Sequence, residues 1–274
     1  MPEMGALQVG PLTLEWGKRT YLMGIVNVTP DSFSGDGLAD HVEEAVARAR
    51  AMDAEGAGII DIGAESTRPG HTPVPPDEQM RRLMPVLTEL VGTVRAPISI
   101  DTSSAKVASA ALEAGAAIVN DIRGLMADPE IASVAAEAGV PVVIMHDLKI
   151  HQADELIPSI LSELQRRIDH ALAAGIPLER IIIDPGFGFG KFGELNLVLL
   201  RKLRELTVLG RPILSGTSRK SMIHYVLKLP PDDRLEGTAA TVALSIANGA
   251  DIVRVHDVRA MQRVACMADA VVRG

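Results

Sequence analysis

Short aliphatic runs alternate along this chain with longer stretches in which apolar residues recur every three or four positions. Eight such runs are legible, at residues 22–26, 58–62, 98–100, 117–119, 142–145, 181–183, 213–214 and 251–255. They are too short for helices and almost uninterrupted by polar residues, which is the pattern of parallel strands covered on both faces. The stretches between them read as helices over 40–56, 77–92, 104–114, 129–138, 152–174, 195–206, 219–228 with 235–248, and 257–272. In the first of these Ala45, Ala49 and Met52 share one face, and Gly115, Gly139 and Gly175 stand as stop signals after three others. Pro230-Pro231-Asp232 splits the seventh connection in two. Eight strands alternating with helices predict an α/β chain folded as one (β/α)8 TIM barrel over 1–274. Ahead of it, Leu7-Gln8-Val9 and Leu12-Thr13-Leu14 flank Gly10-Pro11, a hairpin expected to close the bottom of the barrel.

Each run ends on a polar residue. In order they are Asn27, Asp61 with Glu65, Asp101, Asn120 with Asp121, His146, Asp184, Ser218-Arg219-Lys220, and Arg254 with His256. In such barrels the strand ends converge on the C-terminal face, so these side chains are expected to meet although they span most of the sequence. Two long loops join them: 27–37, expected to be mobile, and the proline-rich 65–76.

Composition narrows the possibilities. Hydrophobic residues make up 47% of the 274 and aromatics only 3%, so the core is built from Ala, Val, Ile and Leu. No apolar run reaches the roughly eighteen residues of a membrane span, and no signal peptide is legible, so the chain is expected in the cytoplasm, with no membrane partner. The single cysteine, Cys266, rules out an internal disulfide and reads as a small buried helix residue. A net charge of −8 argues against a nucleic-acid partner, yet leaves room for an anionic ligand if cations gather in one cleft.

The chemistry is concentrated at the strand ends. Asp101, Asn120, Asp121 and Asp184 are acceptor-rich, with amide donors from the asparagine, and suit a heterocycle carrying an amino group and ring N–H groups. Capping of the following helix is the competing role for Asp101. After 181–183 comes Asp184-Pro185-Gly186-Phe187-Gly188-Phe189-Gly190-Lys191, whose alternate glycines let backbone approach a flat ligand on which Phe187 or Phe189 can stack. This spacing is not that of a dinucleotide-binding loop. Arg68, Arg219, Lys220 and Arg254 supply the complementary charge; an arginine within a barrel strand is costly unless it meets an anion, and His256 lies on the same side as Arg254. Asn27, Asp31 and Asp36 are hard oxygen donors suited to Mg²⁺.

Six motifs in order, Asn27-Val28-Thr29-Pro30-Asp31-Ser32-Phe33-Ser34, Glu65-Ser66-Thr67-Arg68-Pro69-Gly70, Asn120-Asp121-Ile122, the segment 184–191, Ser218-Arg219-Lys220-Ser221 and Arg254-Val255-His256-Asp257-Val258, resemble those of the dihydropteroate synthase family. The resemblance implies condensation of 6-hydroxymethyl-7,8-dihydropterin pyrophosphate with 4-aminobenzoate, giving 7,8-dihydropteroate and pyrophosphate. Carried over, it implies that Asp101, Asn120 and Asp184 grip the pterin with Lys220 and Met145. Asn27 would bind Mg²⁺ and, with Arg68, Arg254 and His256, hold the pyrophosphate. Thr67, Pro69, Phe189, Lys220 and Ser221 would line the aminobenzoate pocket, and the enzyme would be a homodimer. Where the family has Asp-Gly-Gly after Phe-Ser, this chain has Gly35-Asp36-Gly37, which puts a role for Asp36 in doubt. Rival readings are a pterin-binding methyltransferase barrel, which needs neither Arg68 nor Arg254, a Schiff-base aldolase using Lys220, and a pterin-binding protein without catalysis.

Overall fold

A computed structural model describes residues 5–28, 38–65 and 74–274, with backbone alone at 38–40. Eight parallel strands form one sheet: β3 (Tyr21–Asn27), β4 (Ile59–Gly63), β5 (Ile98–Asp101), β6 (Ile118–Asp121), β7 (Val142–Met145), β8 (Ile181–Asp184), β9 (Leu214–Ser215) and β10 (Ile252–Val255). Pairing runs β3 through β8 in sequence, and β10 joins β3 to β9. The ring closes between β8 and β9 through a bridge from Ile183 to Ile213 and an Ile183 N–H donated to the Pro212 carbonyl at 2.9 Å.

Outside the ring lie α1 (Leu38–Ala54), α2 (Pro76–Leu90), α3 (Ala105–Glu113), α4 (Ile131–Ala138), α5 (Leu156–Ala173), α6 (Glu194–Lys202), α7 (Ser221–Leu227), α8 (Leu235–Ala247) and α9 (Val258–Val272). Ala45, Ala49 and Met52 are buried against the strands, as their spacing requires. Gly139 takes a left-handed conformation (φ 64°) that ends α4, and a short 3-10 turn at Pro231–Asp233 separates α7 from α8. The helix read as 195–206 stops at Lys202 and tightens into a 3-10 helix, Leu203–Leu209, closed by left-handed Gly210. Cys266 is a correction: it is exposed on α9 rather than buried.

Strand alternation sorts the core into two shells. Outward residues such as Ile60, Ile100, Val119, Ile144 and Ile183 pack against the helices. Inward residues at the strand starts (Met23, Ile59, Ile118, Val143, Ile182, Leu214 and Ile252) meet the hairpin β1 (Ala6–Val9) and β2 (Leu12–Glu15). Leu7, Val9 and Leu14 enter that cluster while their neighbours face water, and the Tyr21 hydroxyl accepts the Glu15 N–H at 2.7 Å. The hairpin thus closes the bottom of the barrel with apolar side chains, leaving the opposite face for chemistry.

Candidate functional site

Two residues beyond the apolar layer, four of the same inward positions turn polar, Asp61, Asn120, Asp184 and Arg254, joined by Asp101 beyond Ser99, while Ile25, Met145 and Gly216 fill the others. Arg254 enters from β10 with its Nε 2.6 Å from the Asp61 carboxylate and an Nη 2.8 Å from that of Asp101. Asp61 also accepts from the Asn120 side-chain amide at 3.0 Å. An ionised carboxylate only accepts, so that amide nitrogen must face Asp61, and the Asn120 oxygen and the second N–H are what remain for a ligand. One of the donors read as available for a heterocycle is therefore spent inside the protein.

This network spans four strands and joins its members side chain to side chain. The anion that the strand arginine needs is supplied by the protein itself. Burial pulls the guanidinium down, but Asp61 and Asp101 hold it above its ordinary value, so it stays charged. Burial pushes Asp101 up to about 7, with Arg254 opposing. Asp101 caps no helix, since the Ser104 side chain does that for α3. Asp61 is fully buried. Sequence reasoning gives it no role of its own, and its inward position level with a strand arginine is the signal that could have found one.

Asp184, from β8, accepts the Gly186 N–H at 2.7 Å and is pushed upward by burial, against the pull of Lys220, Arg254 and Lys191. Lys220 is half-buried before α7. Its ammonium donates to the Phe187 carbonyl, lies 4.5 Å from the centre of the Phe189 ring, and is drawn by burial to about 8. Asn120, Met145, Asp184, Phe189, Lys220 and Arg254 line one small cavity at the barrel mouth. Six of the residues expected to bind substrate are thereby brought together.

His256 follows on from Arg254. Its Nδ1 lies 3.0 Å from the Ser218 hydroxyl, leaving Nε2 as the ring nitrogen that no described residue engages. Burial, then Arg219 and Arg254, lower it to about 3, so it is neutral at physiological pH. Asn27 ends β3 opposite Gly63, half-buried, with its amide oxygen a hard donor. Among the described residues no three His, Cys, Asp or Glu side chains gather in a cation cage. A single amide oxygen fits a cation that keeps most of its waters and takes the rest of its shell from phosphates. Ser221 opens α7 and is exposed. Thr67, Arg68 and Pro69, like Asp31 and Asp36, lie outside the described residues.

Several readings need correction. Phe187 is fully buried in the same core cluster as Leu199 and Ile223, so it cannot stack on a ligand; of the two, Phe189 alone lines the cavity. The glycines at 186 and 190 serve a different approach: a Cβ on either would collide with the carbonyl of His146 or Leu148, so they let one loop lie against the next. Asp121 is a turn residue, bonded to the Ser103 hydroxyl and the N–H groups of Arg123 and Leu125. Arg219 forks onto Asp257 at 2.7 and 3.1 Å, away from the cavity.

Residues 23–256 match the family of pterin binding enzymes. The chain is 48% identical over 260 residues to the dihydropteroate synthase of Bacillus subtilis (strain 168), covering 95% of this chain and 91% of that protein. A dihydropteroate synthase from Clostridium difficile, solved in the presence of pteroic acid, superposes with a TM-score of 0.91 at 48% identity, covering 95% of this chain and 99% of that one. One from Xanthomonas albilineans, in complex with 7,8-dihydropteroate, gives 0.89 at 40% identity, covering 97% and 98%.

Proposed function

The chain belongs to the dihydropteroate synthases, a family of pterin-binding enzymes, and from that premise we propose how its barrel mouth divides the work. It is a transferase that joins 6-hydroxymethyl-7,8-dihydropterin pyrophosphate to 4-aminobenzoate in folate synthesis, releasing pyrophosphate. The observation that carries the assignment of roles is the Asp61–Arg254–Asp101 network, opening onto Asn120, Asp184 and Lys220.

In this reading the pterin lies in the cavity with its amino and ring N–H groups toward Asp101 and Asp184. Lys220 and Met145 bound it from the sides, and Arg254 sits over the polar layer. The neutral His256 donates through Nε2 to the pyrophosphate, joined by Arg254 and by Arg68. Asn27 would hold Mg²⁺, which when bound offsets the charge on the departing phosphates. Thr67, Pro69, Phe189, Lys220 and Ser221 receive the aminobenzoate. The carbon–oxygen bond to pyrophosphate breaks, the amine nitrogen forms a bond to the exocyclic methylene, and the amine loses a proton. An aromatic amine is already neutral at pH 7, so no strong base is required, and the chain's task is orientation and charge stabilisation on the leaving group.

The substrates are small molecules. We further assign the working enzyme to the cytoplasm as a homodimer: Val226 on α7, Leu244 on α8 and Met267 and Val271 on α9 are exposed apolar side chains on consecutive helices, and no described helix is long and apolar enough to cross a membrane. Sedimentation would show a monomer if the dimer is wrong. The central test is turnover of the two substrates with Mg²⁺. Formation of 7,8-dihydropteroate supports this division of roles, whereas pterin binding without product would leave a binding protein.

A further inference from the structure

Lys191 has no part in the chemistry above, yet it is fully buried. Its ammonium donates to three backbone carbonyls, those of Phe189 at 2.7 Å, Gly186 at 3.1 Å and His146 at 3.2 Å. An ammonium has three N–H donors and no acceptor, so all of them are used. Two of these carbonyls belong to the loop after β8 and the third to the end of β7, so one side chain ties two loops together. The seam is tight, because glycines at 186 and 190 are what allow the loops to touch. Asn196 closes the other side, accepting the Gly188 N–H and donating to the Lys191 carbonyl, both at 2.8 Å.

The held carbonyls bracket the part of the loop that reaches the site. Between Gly186 and Phe189 lie the Phe187 carbonyl, which accepts from Lys220, and the Phe189 ring, which faces the Lys220 ammonium. We propose that Lys191 is a positioning residue for the aminobenzoate side of the pocket, acting through Phe189 and Lys220 rather than by touching substrate. A buried lysine is an expensive way to hold a loop, and burial draws its ammonium to about 7. A purely structural seam needs no such group, since apolar packing would do as well.

The inference rests on the dihydropteroate synthase reading, which turnover by the unaltered enzyme tests separately. Lys191→Met keeps the length of the side chain and removes every donor. In the folded variant the KM for 4-aminobenzoate should rise by at least about tenfold, the size of one charge-assisted hydrogen bond. Pterin affinity measured by calorimetry should fall less, by no more than about threefold: Asp101 and Asn120 stand on strands that Lys191 does not touch, and Asp184 is fixed by β8 itself, so only the shared Lys220 contact is loosened. An unchanged aminobenzoate KM in a folded variant, or pterin affinity falling in step with it, would overturn the proposal. Should Lys191→Met not fold, Asn196→Ala loosens the same loop from its other side. It must then show the same selective rise in KM, and an unchanged KM in that variant also overturns the proposal.

Discussion

The two inward layers of the barrel lie two residues apart on the same strands, roughly 6.6 Å along each, and share almost nothing chemically. Ile59, Ile118, Val143, Ile182, Leu214 and Ile252 pack against the hairpin. One step up, Asp61, Asn120, Met145, Asp184, Gly216 and Arg254 face the mouth. The lower layer is held by non-directional burial and tolerates any apolar residue of the right volume. The upper layer is held by directed ion pairs and hydrogen bonds, so removing one member leaves a buried partner unsatisfied. The barrel therefore separates stability from chemistry by strand position.

The sharpest way to break this comparison is Arg254→Ala. It leaves Asp61 and Asp101 buried without their shared cation, which costs roughly 3–5 kcal/mol of folding stability, and it removes a positive charge from the proposed leaving-group site, so turnover per folded molecule should fall by about two to three orders of magnitude. Because Arg254 braces Asp101, pterin affinity measured by calorimetry should fall too. Retained turnover would remove the network from the chemistry. In the lower layer, Ile182→Ala should lower the unfolding free energy by roughly 2–5 kcal/mol in denaturant titrations. Its kcat/KM per folded molecule should stay within about twofold; a larger drop would mean that the layers are coupled.

Asp184→Asn keeps the shape and turns one acceptor into a donor. Pterin affinity should fall about ten- to a hundredfold, the cost of roughly 1.5–3 kcal/mol for a charge-assisted hydrogen bond, as measured by calorimetry. The last test is a pH slope, small over any one pH unit. His146 and His256 are each lowered to about 3, mainly by burial, from an ordinary 6.5. On acidification the unfolded chain takes up protons first, so stability is complete above pH 6.5 and is lost toward pH 3, at up to roughly 1.4 kcal/mol per pH unit for each histidine. Among the described residues neither ring nitrogen of His146 has a hydrogen-bond partner, so His146→Phe should subtract one histidine's share of the slope. An unaltered slope in chemical unfolding across that range would locate the acid sensitivity elsewhere.

The strands and their polar ends are legible in the sequence because aliphatic runs have a period and a length that few other elements share. Asp101, Asn120, Asp184 and Arg254 converge for that reason alone. What no periodicity shows is the direction a loop side chain takes. Phe187 and Phe189 are two apart in one loop, and only the packing of α6 and α7 decides that the first is core and the second faces the cavity. Arg219 and Lys220 are adjacent, yet the positive φ of 57° at Arg219 goes with a side chain that turns out to Asp257 while Lys220 turns in. Asp61 reads in the sequence as one more strand-end carboxylate, and only the closed ring sets Arg254 against it.

The closure between β8 and β9 has a mechanical consequence. A hoop under thermal load opens at its weakest joint, and here one joint has a single bridge while most of its neighbours carry several paired residues. Past that joint the chain runs on, from one stave into the loop of Phe189 and from the other into Lys220. Breathing of the ring is thus directed at the rim that carries Phe189 and Lys220, and amide exchange should be fastest among the barrel staves at Ile183 and Ile213. The wall from β4 to β6, which carries Asp61, Asp101 and Asn120, is built from the well-paired staves and stays shut.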